Sequence, residues 1–231
     1  MRVERIIAAE AVTRTPSEDQ AVSRSLLERT AAGELDGALR IWRPSPALAL
    51  TRLDSRHPGA DRAVALARAA GVPVGERASG GHAVVTGPGS LAVGVAERAA
   101  TFEGTSERYG RLGNAIVAAL ATVGIDADQG ALPDEWCPGP WSVRAGAFKL
   151  AGLAQRAIKG AGWVEAVIPL DPDPLARELM PQVYAALELP LDVRTLGSVS
   201  EAARRNVAFD ELAQALAAAI DREWQPAWLG N

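Results

Sequence analysis

The stretch VPVGERASGGHAVVTGPGSLAVGVAER, Val72 to Arg98, divides into three apolar-alternating runs, VPVGERA, HAVVT and SLAVGVAER. Ser79-Gly80-Gly81 and Gly87-Pro88-Gly89 punctuate them. A period of two marks strands and clustered glycines mark corners, so the segment predicts a three-stranded meander. Before it, ALRIWR (Ala38 to Arg43) and ALALTR (Ala47 to Arg52) read as two more strands around Pro44-Ser45-Pro46. After it, WSVRA, AFKLAGLAQRAI and GWVEAVIPL add others, linked by Ala145-Gly146 and Lys159-Gly160. Helical spacing runs from Ser17, as N-cap, to Ala32 before Gly33, from Pro58 to Ala70, and from Thr105 to Val123 before Gly124. From about residue 173 the pattern is helical: Pro174 to Leu187, a short piece after Ser198, and Ala208 to Arg222. The reading is a mixed β-sheet flanked by helices, α/β or α+β, in a single domain over residues 1–231.

Composition narrows the function. A net charge of −4 without a basic block argues against nucleic-acid binding, which needs a clustered cationic footprint. The N-terminal residues lack the apolar run of a signal peptide and no segment has the length of a membrane span, so a cytoplasmic protein without membrane attachment is expected. One cysteine, Cys137, and two histidines, His57 and His82, without HxxxH or HExxH spacing, make a metal site a poor expectation.

Three features could carry chemistry. In Arg77-Ala78-Ser79-Gly80-Gly81-His82 the paired glycines let backbone N–H groups approach an anion or a carbonyl oxygen, with Arg77 as a fixed cation; a plain glycine turn explains the same residues. Cys137 lies in Trp136-Cys137-Pro138-Gly139-Pro140, loop chemistry that suits a nucleophilic thiolate if a cation lowers its pKa. Lys149 and Lys159 are the only lysines beside 22 arginines. A lysine can lose its proton in a desolvated pocket and an arginine cannot, which marks Lys149 as a partner for the thiol. Lys159, beside a turn glycine, reads as a solvated charge. In a hairpin through Ala145-Gly146 the strand partner of Lys149 falls near Ser142, so Cys137 reaches Lys149 only if its loop curls back over the sheet.

GERASGGHAVVTGPGSLAVGV resembles the arginine-serine-glycine-glycine motif of the lipoate–protein ligases and octanoyltransferases, which share a fold with biotin protein ligase. FKLAGLAQR resembles their lysine motif, and WCPGPWSVRAGAFK resembles the cysteine loop of the transferase subgroup. The resemblance implies a biotin/lipoate protein ligase-like catalytic domain in which Cys137 carries an octanoyl or lipoyl group as a thioester. Lys149 would contact the acyl carbonyl and assist transfer. Arg77, Ser79, Gly80 and Gly81, with His82 beside them, would line the acyl pocket, and Gly152 and Gln155 its second wall. The implied partners are acyl carrier protein, the glycine-cleavage H protein and lipoyl domains of 2-oxoacid dehydrogenases.

A thioester relay conserves the activated bond and needs no cofactor, whereas an ATP-dependent lipoate–protein ligase, the second reading, uses ATP and Mg and no protein thiol. His82 stands where the ligases have a third glycine, and Val85-Thr86-Gly87 replaces their Tyr-His-Asp. A non-catalytic acyl-binding module is the third reading.

Overall fold

The computed structural model of the chain describes residues 2–9, 15–99 and 104–229. Its strands form two sheets. The larger has the order β1-β2-β6-β10-β9-β8-β7, built from Val3–Ala8, Gly37–Trp42, Ser90–Ala99, Gly160–Pro169, Phe148–Ile158, Val143–Ala145 and Asp128–Gln129. Only the β1–β2 pair in it is parallel. The smaller sheet is β4-β3-β5, from Val74–Glu76, Ala47–Leu50 and Val84–Thr86, with β4 parallel to β3 and β5 antiparallel to it.

Alternation along β2 and β6 assigns the two faces of the large sheet. Leu39, Ile41, Val93 and Val95 point to the main core, where α3 (Thr105–Thr122) supplies Leu112 and Ile116 and α6 (Phe209–Leu229) supplies Leu216, Ile220 and Trp224. Ala38, Trp42, Ala92 and Ala96 point the other way, against Leu26 and Leu27 of α1 (Pro16–Ala31). The small sheet covers the rest of that second face. Its own core of Leu48, Leu50, Val84 and Val85 packs on α2 (Ala60–Ala69) and α4 (Pro174–Ala186), which supply Ala63, Ala67, Leu179 and Val183.

Local signals explain the helix ends. Thr15, rather than Ser17, caps α1: its hydroxyl accepts from Glu18 N while the Glu18 carboxylate accepts from Thr15 N. Ser198 caps α5 (Val199–Ala203), its hydroxyl accepting from Glu201 N. Pro174 opens α4, after the Asp173 cap, where a missing N–H costs nothing.

The predicted meander is not formed. VPVGERA and HAVVT contribute the two edges of the small sheet, with β3 between them, while SLAVGVAER joins the large sheet. ALRIWR and ALALTR are likewise neighbours in sequence and belong to different sheets. The Pro44-Ser45-Pro46 and Gly87-Pro88-Gly89 corners carry the chain between sheets. Proline in the first removes ladder donors, so hairpin pairing across it is lost. β1 and the two-residue β7 were not anticipated.

Candidate active site

Where the two sheets face each other a slot of about 750 Å3, its open mouth included, runs between β3 and β5 on one side and β6, β9 and β10 on the other. Small residues make it: Ala47, Ala49, Ala92, Gly152 and Ala154 stand where larger side chains would close the gap between sheets. Trp42, Val84, Trp136 and Val167 complete an apolar lining, and Arg77, Thr86, Glu165 and Cys137 are among its polar members. A second cavity opens on the outer side, lined by Gly81, Tyr109, Pro138, Trp141, Leu153 and again Cys137. The Tyr109 and Trp141 rings stack there, 5.9 Å apart and 7° from parallel. Cys137 thus stands at the boundary between an apolar slot and an open vestibule.

Three contacts hold it. The loop does curl back over the sheet: Lys149 Nζ donates to Trp136 O at 2.7 Å, to Cys137 O at 2.8 Å and to Glu135 Oε1 at 3.0 Å. Cys137 itself takes a left-handed backbone, φ 44°, and its N–H donates to Tyr184 Oη at 2.6 Å, whose own hydroxyl donates to Ala83 O. Its sulfur accepts from the His82 backbone N–H at 3.3 Å.

Lys149 and Glu135 are both fully buried. Burial pushes the lysine below its usual range, and the Glu135 carboxylate holds it up part of the way. Glu135 also accepts from Leu132 N, Gly139 N and Ser142 Oγ, so one carboxylate ties both ends of the cysteine loop to the lysine. Lys149 Nζ sits 4.5 Å from the centroid of the Trp136 ring. The strand partner of Lys149 is Arg144, two residues beyond the expected Ser142, because the turn is tighter; the bulge, with Leu150 of β9 as the extra residue, comes only after that pair. Burial raises both tyrosines beside the thiol, Tyr109 and Tyr184, above the usual phenol range.

The glycine segment frames the thiol. Gly81 has φ +96°, and a Cβ there would stand 2.5 Å from the Cys137 sulfur, so both the backbone angle and the close approach require glycine. Arg77 lines the slot, but its guanidinium is turned onto its own loop, donating to Gly80 O at 2.7 Å, Ser79 Oγ at 3.3 Å and His82 O at 3.4 Å. It closes the turn where an anion-binding cation was expected. Ser79 donates to Glu165, a slot residue, without lining the slot itself. The His82 ring pairs with the buried Asp54 carboxylate at 3.1 Å.

Gly152 is in the slot wall, and a Cβ there would meet Trp136 at 2.6 Å. Gln155 is not: it accepts from Arg108 Nε and donates to Thr105 O of α3. Alternation on β9 sends Gly152 and Ala154 to the slot and Leu153 and Gln155 to the opposite face. Lys159 is exposed at the β9–β10 turn.

Sequence reasoning missed Glu135, Tyr184, Asp54 and Glu165. Glu135 had a usable signal, since a buried lysine demands a countercharge and this acid stands two residues before the cysteine. Among the described residues no cluster of His, Cys, Asp and Glu could hold a metal ion, and no helix is long and apolar enough to cross a membrane.

Known proteins are similar to this chain to different degrees. Octanoyl-[GcvH]:protein N-octanoyltransferase of Geobacillus kaustophilus is 28% identical over 166 residues, which span 71% of this chain and 59% of that protein. The match therefore covers less than two thirds of the relative's length. Among solved structures, lipoate-protein ligase A bound with ATP superposes with a TM-score of 0.72 at 20% identity, over 97% of this chain and 86% of the other. Protein Ta0514 of T. acidophilum with bound lipoic acid gives 0.68 at 18% identity, with 97% and 86% covered. The biotin protein ligase of Leishmania major with biotinyl-5-AMP gives 0.52 at 12% identity, with 98% and 76% covered. At these identities the structural matches speak for the fold. The model of the lipoyl protein ligase A/B catalytic domain matches residues 15–221, and the chain belongs to that family.

Proposed function

We propose that the chain is an acyltransferase of protein lipoylation that carries an octanoyl or lipoyl group as a thioester on Cys137 and delivers it to a lysine of an acceptor protein. The observation that carries this reading is the position of Cys137, which lines both the apolar slot and the outer vestibule. An acyl chain in the slot presents its carbonyl to the sulfur, while the carrier arm or the acceptor lysine enters from the vestibule. The name of the Geobacillus relative supports transfer from or to the glycine-cleavage H protein; acyl carrier protein and lipoyl domains are further candidate donors and acceptors.

In the first half-reaction the Cys137 thiolate attacks the acyl carbonyl carbon of the donor. The bond to the sulfur of a carrier thioester, or to the lysine nitrogen of an octanoylated H protein, breaks, and the leaving sulfur or nitrogen takes up the proton that Cys137 lost. In the second, the neutral ε-amine of the acceptor lysine attacks the acyl-cysteine. The carbon–sulfur bond breaks and the amine proton passes to the departing Cys137 sulfur. From a thioester donor the product amide lies downhill, and from an amide donor one amide is exchanged for another; neither route consumes ATP. The His82 N–H steadies the sulfur anion in both steps. Lys149, bound to the carbonyl of the nucleophile itself, supplies a fixed positive charge and the loop conformation.

Intact-protein mass spectrometry after mixing with octanoyl acyl carrier protein, and separately with an octanoylated H protein, without nucleotide, tests the reading. The expected result is one octanoyl added, absent in Cys137→Ser and released by hydroxylamine. No adduct from either donor, together with pyrophosphate release dependent on lipoate and ATP, overturns the relay in favour of a ligase.

A further inference from the structure

Three residues that line the acyl slot, Val84, Trp136 and Val167, also line a separate apolar cavity of about 460 Å3 beyond it. The far side of that cavity is built from Val85 and Met180, with Pro169 at the end of β10, and its rim carries Asp171, Asp173, Arg177 and Glu201. Two apolar spaces are thus held apart by three side chains from three elements: β5, the cysteine loop and β10. We infer that this partition ends the acyl slot and sets the longest chain the site accepts, so that removing one valine methyl pair joins the two cavities and admits longer saturated acyl chains. The inference rests on the slot being the acyl site, as argued above.

The members of the partition are unequal. Trp136 is fixed: its ring faces Gly152, which has no Cβ to push it, its carbonyl accepts from Lys149, and the Lys149 ammonium lies 4.5 Å from its ring centroid. Val84 and Val167 sit on strands of opposite sheets, β5 and β10, and make no polar contact through their side chains, so shortening either removes no hydrogen bond of the cysteine loop. The rim of the far cavity bears both members of the Arg177–Glu201 ion pair and two further carboxylates, so a fatty acid entering from that side would bring its own carboxylate against Asp171, Asp173 and Glu201.

The test uses binding and covalent loading in parallel. Isothermal titration of octanoate and dodecanoate into the native protein, Val167→Ala, Val84→Ala and Met180→Ala gives a chain-length profile that needs no catalysis. We expect the native protein to bind octanoate at least tenfold more tightly than dodecanoate. Each valine variant should shift the ratio toward dodecanoate by about tenfold, which is about 1.4 kcal/mol and well within what burying four methylenes supplies. Met180→Ala enlarges only the far cavity and should keep the native ratio. An unchanged ratio in both valine variants, a native protein that binds dodecanoate as well as octanoate, or one that binds neither, overturns the partition. The failure of the relay reads differently: no acyl adduct on Cys137 from octanoyl or dodecanoyl carrier while the binding ratio still shifts would remove the thioester and leave the partition standing.

Discussion

Replacing Lys149 by methionine tests the loop architecture most directly, because the ammonium joins Glu135, Trp136 and Cys137 at one nitrogen. Removing one partner of a buried ion pair costs about 3–5 kcal/mol. In this site the orphaned carboxylate keeps donors from Ser142, Leu132 and Gly139, which offsets part of that cost. The Trp136 and Cys137 carbonyls lose their donor, and a buried unsatisfied group costs about 1–3 kcal/mol. The two corrections oppose each other, and the expected loss for Lys149→Met is about 4 kcal/mol. Glu135→Gln should cost about 3 kcal/mol by stranding the ammonium instead. The double variant should be less destabilised than the sum by about 2 kcal/mol or more, since neither stranded charge remains. Urea unfolding at constant m-value measures all four corners of the cycle. Proton linkage gives a second readout. Burial holds the lysine below its ordinary 10.5, so between that depressed value and 10.5 the unfolded chain binds more protons than the folded one. Native stability should therefore rise with pH across that alkaline window relative to Lys149→Met, which has no proton to lose. A Lys149→Met cost under about 1 kcal/mol, or single costs that add within about 0.5 kcal/mol, refutes the assignment of Lys149 as the clamp of the cysteine loop.

Other changes follow from the same geometry. Gly81→Ala forces a Cβ against the Cys137 sulfur at a left-handed backbone angle; we expect a loss of about 1–3 kcal/mol in unfolding and at least a tenfold slower alkylation of the thiol by iodoacetamide. Tyr184→Phe removes the hydroxyl that links the Cys137 N–H to the Ala83 carbonyl. It should cost about 1–3 kcal/mol by leaving a buried N–H unpaired, and native-state hydrogen exchange at Cys137 should accelerate to match. Gly152→Ala drives Trp136 out of place, so octanoate affinity in a titration should fall several-fold while the unfolding midpoint moves less than for Gly81→Ala.

What the sequence showed clearly was whatever depends on local pattern. The hairpin of β9 and β10 was legible because both strands alternate and a glycine with φ +97° stands at their turn. The helices α1, α3 and α4 were legible from apolar spacing and their caps or stops. What failed was pairing at a distance. Three runs that look like a meander share sequence proximity, yet β4 pairs parallel to β3 and β6 lies between β2 and β10 in the other sheet. β1 was invisible because VERIIA lacks strict alternation and its residues are half-buried at the sheet edge. In the site, Cys137 and Lys149 were found as a pair, while Tyr184, which lies 47 residues along the chain on α4, carried no local mark of its role.

The rarity of lysine in this chain was the sign that Lys149 is special, but geometry gives a more exact reason for it than proton transfer alone. Three acceptors, one carboxylate oxygen and two consecutive backbone carbonyls, lie 2.7–3.0 Å from a single nitrogen. A tetrahedral ammonium offers three protons from one point and matches them. A guanidinium spreads its donors over a planar fork and presents at most two from any one nitrogen. Arginine would leave one carbonyl unpaired in a site with no exposure, and its bulk would press on the Trp136 ring beneath it. The residue that keeps the Cys137 loop in place therefore has to be lysine on packing grounds. Its charge is held against the carbonyl of Cys137 without any of its protons leaving.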